Sequence, residues 1–280
     1  MKTERPEPKD PNGDVIKSAI TGFNFTPTLH QKAAPSLEST SQTLPSPFVV
    51  CVIGASRGID AETAKAFAQA GPTGLILTAR TLAALDETKQ TCKRLAKIST
   101  VKISALAADA GSEAAAERVA AVIQEEHGRL DALIINAGLV ATNPSAFSKF
   151  DAIDVSQVQE MMQLNYIGRF ALIKHLIPLL LSSPNGAKAI VDITSLASHF
   201  TTEGVGALGF NISAPATNRL TEAVATTYGP EGAFAYAVHP GAVRTSPPPG
   251  MPKDVLELLT DDPGLCGAFL VWLVKKSAAG

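Results

Sequence analysis

The sequence is short of several things that would have settled its class at once. It has three cysteines, Cys51, Cys92 and Cys266, far apart and with no CxxC spacing; that excludes a disulfide framework and a structural zinc site, and it fits a reducing compartment. No sign of charge dominates, with 24 Lys+Arg against 26 Asp+Glu and a net charge of -2. A basic field for nucleic acid or anionic lipid is therefore lacking. Uninterrupted apolar runs such as 268–274 fall well short of the roughly 18 residues that cross a bilayer. The first fourteen residues carry six charged side chains besides Lys2 and no apolar h-region, unlike a secretory signal. What remains is a cytoplasmic protein that handles a small molecule, with no nucleic acid, membrane or metal partner.

What is present is material for a large core. At 280 residues and 45% hydrophobic composition, the chain has room for one large domain or two small ones. Residues 1–47 are rich in Pro, Ser, Thr and charge and show neither helical nor strand period, so they read as an irregular arm. Phe23, Phe25 and Leu29 are its candidate docking residues. From residue 48 the texture changes. Continuous apolar runs at 48–53, 74–79, 101–107, 132–136, 189–194 and 233–239 suit strands buried on both faces. Between them lie helical stretches at 61–70, 82–97, 112–127, 156–181 and 215–228. Strand alternating with helix requires parallel pairing and right-handed crossovers, and predicts an α/β, Rossmann-like doubly wound parallel sheet over 48–280 with helices on both faces.

The first strand runs straight into Gly54-Ala55-Ser56-Arg57-Gly58-Ile59-Asp60 and then a helix. Glycines there let the backbone turn tightly, so that N–H groups at the helix start can face a pyrophosphate. The second strand ends in Ala79-Arg80, where an acidic residue would serve a ribose 2′-hydroxyl. Arg80 and Arg57 can instead fork onto a 2′-phosphate, so the expected cofactor is NADP(H) rather than NAD. Asp60 is the discordant residue. Its charge favours the helix dipole but lies where it would repel a pyrophosphate and weaken binding.

This loop, with Asp109 after the third strand, Asn136-Ala137-Gly138 after the fourth, Asn165 in the long helix, Ser195 after the fifth and Pro240-Gly241 after the sixth, resembles the short-chain dehydrogenase/reductase family. The arm and the stretch 211–222 are most similar to fungal members that make secondary metabolites. The resemblance implies adenine contact at Asp109, ribose contact at Asn136 and contact with the nicotinamide half at Arg169. Gly54, Ser56, Gly58, Ile59, Val243 and Thr245 complete the cofactor side that it implies. It also implies a proton-transfer set of Ser195 and Asn165 with a tyrosine and a lysine. The segment 209–222 aligns without a gap and puts Phe210 at the tyrosine and Ala214 at the lysine.

Phe210 has no proton to give, and a positioned acid contributes about 10²- to 10⁴-fold in rate. Substitutes are few. Tyr166 is next to Asn165 but points about 100° away on the helix; His199 and Glu203 follow Ser195 where the family lines its substrate pocket. His239, before Pro240-Gly241, suits a packing and turn role, and Asp192 suits local hydrogen bonding within its strand. Three readings stay open: a reductase with atypical proton handling, a non-redox cyclase or isomerase on the same scaffold, and a silent binding relative.

After Thr245 the prolines 247–249 and Met251, Leu256 and Leu259, on a helical stretch from 253 to 259, are candidates for an apolar substrate lid. A last helix at 265–276 is followed by four residues, where relatives continue into a seventh strand. Six strands are therefore expected, with the sixth left to be covered by the arm or by a second copy in a homo-oligomer.

Overall fold

The computed structural model describes residues 30–280, apart from 142, 200–206, 244, 246–252, 258 and 280. Phe23, Phe25, Leu29, Glu203, Pro247 to Pro249 and Met251 lie outside the described residues.

Six strands form one parallel sheet: β1 (Val49–Ile53), β2 (Gly74–Ala79), β3 (Lys102–Ala107), β4 (Ala132–Ile135), β5 (Ala189–Ile193) and β6 (Phe234–Val238), in the order β3-β2-β1-β4-β5-β6. Every residue of β1, β2, β4 and β5 is buried, whereas the edge strands β3 and β6 are half exposed. Continuous apolar runs are what a strand covered on both faces requires. Successive residues of β1 divide between the two faces as a strand's period of two dictates. Val50 and Val52 pack with Phe67, Leu77, Leu270 and Val274 on one side; Val49, Cys51 and Ile53 pack with Val119, Ile123, Leu172 and Leu176 on the other.

The helices are α1 (Gly58–Ala70), α2 (Asp86–Leu95), α3 (Glu113–His127), α4 (Val155–Met162), α5 (Arg169–Ser182), α6 (Leu208–Tyr228), α7 (Lys253–Glu257) and α8 (Pro263–Ser277). Gly267 lets α8 close on α1, since a Cβ there would lie 2.9 Å from Thr63 Cα. Residues 30–44 pack on the same side. Leu44 is buried and donates its N–H to Ala70 O, Lys97 Nζ donates to Gln42 O, and Gln31 O accepts from Asp262 N. Among the described residues β6 has no second strand partner.

Two helices differ from the sequence pattern. The stretch expected as one helix over 156–181 is broken by a π turn, Gln163–Gly168, between α4 and α5. There Thr217 Oγ1 donates to the Asn165 carbonyl at 2.9 Å. The helix expected to begin at Pro215 begins seven residues earlier, at Leu208, and carries Pro215 inside it. Proline suits a first turn, but Asn211 and Ser213 are buried and Gly209 meets Met161 of α4; packing holds the first two turns helical despite the lost donor.

The helical stretch 155–182 is long and apolar enough by length and composition to cross a membrane, although half of its most apolar window is buried within the fold. An average over a window finds what a search for uninterrupted runs does not. Leu172, Ile173, Leu176 and Leu180 lie in the core beneath the sheet.

The π turn brings Gly168 against the chain that follows β3, where an added Cβ would collide with the Ala110 carbonyl oxygen. Gly168→Ala should therefore lower stability to urea by about 1–3 kcal/mol.

Candidate functional site

A cleft of about 1190 Å³ opens beyond the carboxyl ends of the strands, running from Arg57 and Arg80 past Asn136 to Phe210 and Ser195. Ligands of doubly wound sheets bind at such an edge, where strand order reverses. Here β1 and β4 flank that reversal.

The loop after β1 is pinned to β2 by the N–H groups of Gly54 and Ala55, which donate to Thr78 O at 3.0 and 2.8 Å. Gly54 has φ +99 and Gly58 φ +61, a region that other residues enter only with strain. Arg57 caps α1 from an extended conformation. Arg57 and Arg80 are both exposed and border one recess with Ser56, Ala79, Thr81 and Ala84. Asp109, on the far wall, accepts from Gly111 N at 3.0 Å.

Asp60 is buried. It is 5% exposed, beneath the loop, with Oδ2 so placed that a Cβ on Gly54 would lie 2.9 Å away. The third residue of α1 points inward here because the loop wraps over it. Burial raises its carboxyl from 3.8 to about 7, against the opposing pull of a hydrogen bond from the Asn136 side chain and of the Arg169 charge. Oδ1 is buried with no partner.

Arg169 lies low in the cleft. It is 5% exposed and forms part of the cleft floor. Nη1 donates to Asp192 Oδ1 (3.1 Å), Ile135 O (3.2 Å) and Ile193 O (3.0 Å), and Thr221 Oγ1 donates to Asp192 Oδ2 at 2.9 Å. Burial pushes the Asp192 carboxyl up, opposed by Arg169 and Thr221. A guanidinium does not shed its proton, so Arg169 keeps its charge and opposes that rise. What the sequence pattern assigns to local hydrogen bonding in β5 is the counter-charge of the floor.

Asn165 is buried and fully engaged. Its Oδ1 accepts from Leu139 N at 2.8 Å, and Nδ2 donates to Leu139 O (2.8 Å) and Ser213 Oγ (3.0 Å). It thereby clamps the chain after β4 to α6. Ser195 borders the cleft, its Oγ accepting from Ala197 N at 3.1 Å, which leaves the hydroxyl hydrogen to point elsewhere. Phe210 and Ala214 face the same space; the Phe210 ring packs against the cluster of Ala141, Ala146, Met161 and Ala207.

All the expected cofactor-side residues, from Gly54 through Thr245, line the cleft, as do Ser195 and Asn165. Tyr166 does not; it packs against the core under the sheet. His199 is exposed and away from the lining. His239 does line the cleft, with Nδ1 accepting from Leu196 N at 3.3 Å. Gln159, Glu160 and Gln163, which also line it, carry no motif that would have marked them. The three cysteines are free and buried.

The short chain dehydrogenase family profile matches residues 48–250. The chain belongs to that family. Among its relatives, the short chain dehydrogenase pgmD of Aspergillus terreus is 38% identical over 274 residues, covering 95% of this chain and 87% of that one. The short chain dehydrogenase mpl6 of Monascus purpureus is 31% identical over 258 residues, 91% and 85% of the two chains. Of solved structures, a putative short-chain alcohol dehydrogenase from Sinorhizobium meliloti superposes with a TM-score of 0.62 at 29% identity, covering 72% of this chain and 75% of that one. A short chain dehydrogenase from Shigella flexneri complexed with NADP shares the fold, with a TM-score of 0.69 at 24% identity over 83% and 93%.

Within this short-chain dehydrogenase, Asp60 makes stability depend on pH. Its folded pKa of about 7 exceeds the value of about 4 of an unfolded aspartate. Between those values the folded chain holds a proton that the unfolded chain has released, so stability falls as pH rises through the window. Asp60→Asn removes the effect. The variant should match the parent at about pH 4 and exceed it by on the order of 2–4 kcal/mol above about pH 7, measured by urea unfolding.

Proposed function

We propose that this short-chain dehydrogenase is an NADP(H)-dependent reductase of a small, hydrophobic metabolite in a fungal secondary-metabolite pathway, working without the tyrosine–lysine pair. The observation that carries the reading is the continuity of the cleft, from an arginine-bordered recess at Arg57 and Arg80 to an apolar end at Phe210 and Leu139. The glycine loop and the recess fit a dinucleotide bearing a 2′-phosphate; Asp60, beneath the loop, opposes the phosphates only when ionised.

A nicotinamide cofactor, when bound in this cleft, would supply the hydride. Arg80 and Arg57 would fork onto the 2′-phosphate. Asp109 would hold the adenine, Asn136 the ribose, and Val243 and Thr245 the nicotinamide end. Arg169 would act from below as a fixed positive charge rather than by contact, since its Nη groups are already engaged. The Ser195 hydroxyl can donate a hydrogen bond to a substrate oxygen, and Asn165 positions that wall of the cleft through Leu139 and Ser213. Phe210 gives the substrate a flat apolar contact and no proton. An acceptor that is already cationic, such as an iminium carbon, needs none.

The second reading, a non-redox cyclase or isomerase or a silent binding relative, draws on Phe210 and Ala214 standing together in the cleft. Titration with NADPH separates the two, because absence of binding at high micromolar concentration would sink the reductase. If NADPH binds, Arg80→Ala should weaken it by about 10- to 100-fold, the worth of charge-assisted hydrogen bonds, and leave NADH nearly unchanged. The double variant Phe210→Tyr with Ala214→Lys should raise reduction of simple ketones by on the order of 10²- to 10⁴-fold, measured as NADPH oxidation.

A further inference from the structure

Beneath the loop that faces the cleft lies a carboxyl group whose geometry suits neither a permanent charge nor an ordinary structural role. Asp60 is 5% exposed and lines the cleft, and its Oδ1 is buried without a hydrogen-bond partner. An ionised carboxylate is strongly penalised in such a place unless it is paired.

The groups around it do not pair it. From α5, Arg169 is bonded to Asp192 of β5 at 3.1 Å and acts on Asp60 only as a charge, a pull that burial outweighs. From the end of β4, Asn136 offers an amide. From α8, Cys266 is a thiol pushed up to about 12 and stays uncharged near neutral pH. Arg57, at the start of the same helix, is exposed to solvent. The carboxyl is accordingly protonated below about pH 7 and ionised above it.

We propose that Asp60 makes the loop a proton-coupled receptor for diphosphate: the ligand settles over the loop together with one proton from solvent, which forms an O–H bond at Oδ1. No other bond changes, and nothing is oxidised or reduced. Two anions stacked on one glycine turn would repel each other in a medium of low dielectric. Adding the proton removes that repulsion, and gives a donor to a site that glycine, having no side chain, could not supply. This inference rests on the reading of the cleft as a dinucleotide site.

The probe is ADP-ribose, which carries the diphosphate without a 2′-phosphate that titrates near neutral pH. Its affinity for the full chain is measured by calorimetry from about pH 6 to about pH 9, in two buffers of different ionisation enthalpy, so that protons taken up are counted. For the parent protein the dissociation constant should rise about tenfold per pH unit above about pH 7, and uptake should climb from near zero toward one proton. Asp60→Asn should bind with no such slope. Asp60→Gly serves the same purpose by a second route and should also be flat. A flat parent profile, or the parent's slope kept in both variants, overturns the inference and leaves the dinucleotide reading standing. Binding by the variants with none by the parent at any pH also overturns it, since Asp60 would then stay ionised and repel. If none of the three proteins binds ADP-ribose although NADPH binds, the inference alone falls; if NADPH does not bind either, the dinucleotide reading falls with it.

Discussion

The buried ion pair of Arg169 and Asp192 is the constraint around which the cleft is arranged. A guanidinium removed from water is tolerable only with a counter-charge and its donors occupied. Asp192 supplies the counter-charge and carbonyls at the ends of β4 and β5 occupy Nη1, while Nε is buried without a partner. One side chain at the start of α5 thereby ties two neighbouring strands where a substrate-bearing cleft needs them rigid. Thr221, bonded to the other oxygen of Asp192, brings α6 into the same unit. Phe210 and Ala214 are carried on that helix, so the pair sets the distance between the cofactor wall and the apolar end.

Arg169 pulls on Asp60 as well, but burial outweighs that pull and holds the Asp60 carboxyl up. The two ends of the cleft differ in kind. One has the glycine turn, the arginine recess and Asp109, all of which depend on backbone shape and surface charge. The other has Ser195 and the Asn165 clamp beside a phenyl ring and a methyl, where the family resemblance implies a phenol and an ammonium.

The sheet was legible because burial on both faces leaves continuous apolar runs, and the run at 74–79 coincides with β2 to the residue. Most of the lining was legible for the same reason: loops at strand ends converge in a doubly wound fold whatever their spacing in sequence. The interior of the site was not. Arg169 and Asp192 are 23 residues apart on different elements, and nothing local marks them as partners. Asp60 reads as a helix-start acid because that is where aspartates commonly sit; its inward direction depends on the glycine turn above it. The π turn has no compositional signal, and Pro215 misled because proline's preference for a first turn is weaker than the packing of Gly209, Asn211 and Ser213.

Ala214 is 6% exposed, on the face of α6 that meets the cleft. A lysine arriving there alone would put an ammonium in a nearly closed site without a phenol to serve, and a desolvated cation costs several kcal/mol. A tyrosine arriving alone at residue 210 would keep an ordinary phenol pKa near 10, too weak an acid to gain much. Neither group is useful without the other, so a phenol–ammonium relay on this face of α6 would need both substitutions at once. As it stands, residues 210 and 214 offer the cleft shape and no proton.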